Sequence, residues 1–118
     1  MGQPRAEAIE DLARALKNVC APITGNTLFV VSCNLSCAND KTGARLLAEE
    51  SLRLFSGKNA PALVSAVLEN RISACGAGLV ASLFASGLLE DTMPIARNMV
   101  SAVEADNNTV FYGAVSFE

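Results

Sequence analysis

The sequence predicts an α+β fold: a small single domain with about four to five helices packed on a short sheet that includes strands near 27–33 and 109–117. Three observations lead there. Apolar residues recur at three- and four-residue spacing in several segments, which is helical periodicity. Two short runs, TLFVVSC at 27–33 and TVFYGAVSF at 109–117, are rich in β-branched and aromatic residues. Residues 72–89, ISACGAGLVASLFASGLL, carry no charge and are built from Ala, Gly and Ser around a few larger apolar residues, which suits an element enclosed by other protein. At 118 residues, 51% apolar and 18% charged, the chain is long enough for one core and too apolar for a disordered segment.

Residues 4–19 read as an amphipathic helix with Ile9, Leu12 and Leu16 in line, Pro4 in the first turn and Glu10–Arg14 as an i,i+4 ion pair. APITGN at 21–26 breaks it. The 27–33 run is apolar on both faces and reads as a buried strand, and NLSCANDKTG reads as a polar turn. Residues 44–56 return to helical spacing, with Gly57 as the stop. Asn59 and Pro61 open a further helix over 61–70. A continuous apolar run hides its period, so 72–89 is compatible with a helix or a strand; a central helix is preferred, with Ala81 and Ala85 buried. Ile95, Met99 and Val103, with Thr92 as cap and Pro94 in the first turn, predict another helix over 92–105. Asp106-Asn107-Asn108 marks a turn, and 109–117 closes the chain as a strand with Phe111, Val115 and Phe117 on one face. Two strands make a marginal sheet, so a third strand from 77–84 or from a second subunit is required.

Composition excludes several chemistries. The chain has no His, so no His-containing triad, Cys–His pair or His-containing zinc site forms within it. The net charge of −3, with nine basic residues scattered singly, gives no footprint for nucleic acid. The N-terminal MGQPRAEAIEDLARALK lacks an apolar leader, and position 6 is Ala where myristoylation needs Ser or Thr, so a cytoplasmic location is expected. The 72–89 run approaches membrane-span length, but three Gly, three Ser and the flanking Arg71 and Glu90 favour a buried soluble element, so no membrane partner is expected.

Cys33 and Cys37 are the candidate thiol or metal-ligating pair, one residue wider than C-x-x-C at the end of a strand. With Cys20 and Cys75 they are enough for a zinc or two-iron site, or for two disulfides in an oxidising compartment. The bland reading is that all four are small core residues. The string CNLSC resembles the opening of the radical-SAM cluster motif, but position 40 holds Asp40 where the third Cys belongs, so the motif is broken. Gly76-Ala77-Gly78 resembles a phosphate-cradling turn before a helix, with Ala81 at the third glycine position, and marks a candidate small-ligand pocket. Ser56-Gly57-Lys58 resembles a P-loop end without its upstream glycine. The sequons at Asn34 and Asn107 and the neighbouring Glu49 and Glu50 fit chance and a solvated helix face.

No catalytic residue and no cofactor is assigned. The expected function is a non-enzymatic, oligomerising or partner-binding domain that pairs with itself or another protein. The alternatives are a thiol-redox or metal-binding protein using Cys33 and Cys37, or a small-ligand pocket near Gly76–Gly78.

Overall fold

The computed structural model describes residues 5–103 and 108–118, with backbone alone at 24–26. The fold combines four helices with a three-stranded antiparallel sheet: α1 (Ala6–Cys20), α2 (Lys41–Gly57), α3 (Ala60–Leu68) and α4 (Ala77–Ala85), with β1 (Ser36–Ala38), β2 (Pro94–Val103) and β3 (Thr109–Phe117). Helix α2 packs directly on the sheet, and α1 and α3 pack on α4. A short 3-10 helix, Ala21–Asn26, follows α1. The strand order is β1-β3-β2, so the last strand in sequence is the middle one in space.

Two of the helices, α2 and α3, start where a side chain satisfies a free N–H group. Asp40 caps α2 by accepting from the Gly43 N–H. Asn59 caps α3 by accepting from the Ala62 N–H at 3.0 Å, with Pro61 in the first turn where its missing donor costs nothing. Asn59→Ala should therefore lower stability by about 1 kcal/mol, read as a shifted denaturation midpoint with an unchanged slope. The stop after α2 falls one residue later than expected, because Lys58, not Gly57, takes the left-handed conformation at φ 53°. The Arg14 guanidinium in α1 pairs with Asp11 at 3.1 Å instead of with Glu10.

The core lies between the helices and the inner face of the sheet, around Ile9, Ala48, Phe55, Leu63, Ala81 and Phe111. Helix α4 sits at its centre: Ala77, Gly78 and Val80–Leu83 are all buried, as the uncharged composition of 72–89 implies. Ala85, expected inside as well, is exposed at the helix end. Three buried hydroxyls are satisfied locally. Ser36 donates to the Ala44 carbonyl at 2.6 Å, Ser51 to those of Leu35 and Leu47, and Ser82 to that of Gly78. The first two tie β1 to α2.

Two expected elements are corrected. Residues 92–105 do not form a helix; 94–103 form β2, paired along its length with β3 from Pro94↔Phe117 to Val103↔Thr109. The spacing that suggested a helix is ambiguous, since the four-residue step from Met99 to Val103 is also a multiple of the two-residue strand repeat. Pro94 starts a strand as readily as it starts a helix. Thr92 closes a turn by donating to the Leu89 carbonyl and caps nothing. The third strand that the sheet required is thus β2, and not a segment of 77–84.

The strand placed at 27–33 lies further on, at Ser36–Ala38, inside the stretch read as a turn. Residues 27–34 carry no regular secondary structure and lie outside the sheet. Their side chains alternate: Thr27, Phe29, Val31 and Cys33 are half-buried, while Leu28 is 86% and Val30 76% exposed. Among the described residues no backbone hydrogen bond involves 28–33. Strand 109–117 stands as expected, with Phe111 buried and Val115 and Phe117 half-buried on the same side. The predicted turn at 106–108 falls at positions 106 and 107 outside the described residues.

Candidate functional site

The register of β1 explains why 27–33 leaves the sheet. Ser36 faces Phe111 across the β1–β3 ladder. Six further antiparallel steps upstream would bring Val30 opposite Phe117. Instead the chain turns away from β3 at Leu35, whose N–H still reaches the Phe111 carbonyl at 2.9 Å. Gly113 permits this crossing, since a Cβ there would lie 2.4 Å from Leu35 Cδ1. Beyond Leu35 the segment leans on the start of α4, where a Cβ on Gly76 would lie 2.5 Å from Cys33 Cβ and 3.4 Å from Val31 Cγ1. Glycine is needed at both positions for close approach.

The parting of 27–33 from β3 leaves a cavity of about 650 Å³. Its walls are 27–33 on one side, 113–117 on the other, and side chains of α2 and α4 between them, including Phe55, Leu83 and Phe84. No charged side chain lines it. The Phe84 and Phe117 rings meet edge to face at 5.8 Å at this wall. Size and lining fall in the range of small-molecule sites. The sequence carried no sign of this cavity, because it follows from a strand that fails to join its neighbour.

The cysteines separate from their expected pairing. Cys37 is exposed on β1 opposite Val110, whereas Cys33 is half-buried against Gly76. The partner that the fold brings to Cys33 is Cys75. The Asn34 N–H donates to Cys75 Sγ at 3.3 Å, and the Gly76 backbone N–H is hydrogen-bonded to the Cys33 sulfur. Burial pushes the Cys33 thiol above its ordinary pKa, the Gly76 hydrogen bond pulls it back, and the neighbouring Cys75 adds a smaller upward push. The core reading fails for Cys37 and Cys75, which are exposed, and holds only in part for Cys20 and Cys33. Among the described residues no three Cys, Asp or Glu gather closely enough to hold a metal ion.

The Gly76-Ala77-Gly78 turn does begin a helix, but Cys33 covers Gly76 and Gly78 is buried. These glycines serve packing, and the open space lies beside them in the cavity. Lys58, at the end of the Ser56-Gly57-Lys58 string, is occupied elsewhere: its ammonium donates to the carbonyls of Leu89 (2.9 Å), Glu90 (3.2 Å) and Thr92. It clamps the turn after α4, where carbonyls lack helical partners.

Glu49 and Glu50 prove to be ion-pair partners on the outer face of α2, with Arg45 and with Arg53 and Arg71 respectively. The hydrogen bond from Arg53 holds the Glu50 carboxyl below its usual range, against a slight upward push from burial, with the Arg53 and Arg71 charges also lowering it. Because the folded-state pKa is the lower one, this cluster adds stability at neutral pH that is lost on acidification, and its exposure keeps the gain small.

A continuous exposed stretch of the sheet is β2. Nine of its ten residues are exposed, including Ile95, Val100 (59%) and Val103 (72%), and its only charged residue is Arg97. One edge pairs with β3; among the described residues the other edge pairs with nothing. No helix among the described residues is long and apolar enough to cross a membrane. No known family model, curated protein or solved structure matches the chain.

Proposed function

We propose that this chain is a non-enzymatic, cytoplasmic domain that assembles with a second copy of itself through the open edge of β2. The observation that carries this reading is the length and composition of that edge. Sheets normally protect their edges with short strands, prolines, bulges or inward charges. The opposite edge is protected in that way, since β1 has three residues. On β2 the devices are confined to one end, at Pro94 and the register shift between Pro94 and Ala96. From Arg97 to Val103 the register is regular, and the stretch Met99–Val103 carries no charge and, among the described residues, pairs with nothing on its outer edge.

Antiparallel pairing of two β2 strands about Val100 extends the sheet across a two-fold axis, the commonest symmetry of small oligomers. It sets Arg97 three residues to one side of the centre, against Val103 of the second copy, so like charges do not meet. Sedimentation equilibrium at micromolar concentration should give a dimer, and Val100→Lys should weaken it at least tenfold while leaving the far-UV circular dichroism unchanged. A native protein that is monomeric throughout, or a Val100→Lys dimer of unchanged affinity, overturns the reading. The uncharged cavity favours a second reading, a small apolar ligand held between 27–33 and β3. A monomeric protein that takes up Nile red with a gain in fluorescence would favour it over assembly.

A further inference from the structure

We infer that Cys33 and Cys75 form a reversible redox pair, closing to an intramolecular disulfide that fastens the segment 27–33 to the start of α4. The two stretches meet from both sides: the Asn34 N–H, next to Cys33, donates to Cys75 Sγ at 3.3 Å, and Gly76, next to Cys75, packs against Cys33 so closely that a Cβ there would collide with it. That reciprocity requires the two short stretches to lie side by side. Contact of Cys33 Cβ with the Gly76 backbone places it within one residue of Cys75. Disulfides need Cβ atoms in close proximity, and the contacts of Cys33 with Gly76 and of Cys75 with Asn34 bring the two cysteine-bearing stretches together. Cys37, four residues along, is instead committed to the β1–β3 ladder opposite Val110.

The chemistry divides between the two positions. Cys75 is exposed and meets an oxidant first, and Cys33 is half-buried and shielded from it. With a small-molecule disulfide such as oxidised glutathione, the Cys75 thiolate attacks one sulfur, forming a mixed disulfide and releasing one glutathione thiolate. Cys33 then loses its proton and attacks the Cys75 sulfur, and the second glutathione leaves. Two protein thiols are oxidised by two electrons, and one glutathione disulfide is reduced to two thiols. Reduction runs the same steps backwards. Burial raises the pKa of Cys33 and keeps it mostly protonated at neutral pH, so the first attack falls to Cys75 and Cys33 reacts only as the neighbouring second thiol.

This pair is independent of assembly through β2, and the two fail separately. Native protein equilibrated with oxidised glutathione should fall from four titratable thiols to two under denaturing conditions. Peptide mapping without reductant should find the fragments holding Cys33 and Cys75 joined. The oxidised monomer should melt at a higher temperature than the reduced one, and dithiothreitol should reverse the shift. Cys33→Ser and Cys75→Ser should each abolish the crosslink, with circular dichroism confirming that both variants fold, while Cys37→Ser and Cys20→Ser should retain it. Stable glutathionylation of Cys75 with no second thiol lost overturns the proposal. So does a Cys33–Cys37 link, or a product crosslinked only between chains.

Discussion

Ala81→Glu should leave the protein unable to fold cooperatively. The Ala81 side chain is fully enclosed at the centre of α4, among apolar neighbours of the main core. A carboxylate there loses its hydration and finds no cation, because Lys58 is already held by three carbonyls. Its volume would also force α4 away from its neighbours. The cost of an unpaired buried charge together with overpacking exceeds about 4 kcal/mol, a large part of the stability of a small domain. Ala85→Glu, on the same helix but exposed, supplies the contrast and should change stability by no more than about 0.5 kcal/mol. Expression, solubility and thermal melting of the two variants check this. A soluble, cooperatively melting Ala81→Glu protein would contradict the buried position of α4.

Phe111→Ala should be the most damaging truncation in the sheet, at about 3–5 kcal/mol. Phe111 is only 5% exposed, lies on the middle strand and stands opposite both Ser36 and Ser101, so the cavity it leaves is closed on both sides by paired backbone. Phe117 has the same alternation in sequence but is half-buried at the end of the strand, resting edge-on against Phe84. Its truncation removes less buried area and opens onto the neighbouring cavity, where the structure can relax, so Phe117→Ala should cost less than half as much. Urea denaturation of both variants measures the difference. Equal losses would show that β3 packs evenly along its length.

The elements legible in the sequence were those fixed by local chemistry. The periodicity in α1 and α2, the Asn59 cap of α3, the enclosed composition of α4 and the alternation of β3 all express rules that act over a few residues. The two displaced elements were decided over longer distances. PIARNMVSAV becomes a strand because β3 offers it a ladder, and its own spacing satisfies either repeat. TLFVVSC has strand composition, yet it stays off the sheet, packed against Gly76 and, through Leu35, against Gly113, both far along the chain. The same distance hid the cysteine pairing. Cys33 and Cys37 are neighbours in sequence, but strand geometry sends them to different surroundings, and Cys75 arrives from the far side of two helices.

The placement of β1 also bears on how fast and how safely the chain folds. The β2–β3 hairpin and the run of helices from α2 to α4 join segments close in sequence, and such contacts form quickly. β1 is different: three residues from the first third of the chain must find the final strand and complete the sheet. Closing so wide a loop brings a large entropic loss before only a short ladder can repay it. That pairing is therefore the natural late event in folding. Until it happens, the middle strand of the finished sheet is itself an edge, and a nascent chain has an interval in which two molecules can join wrongly through β3.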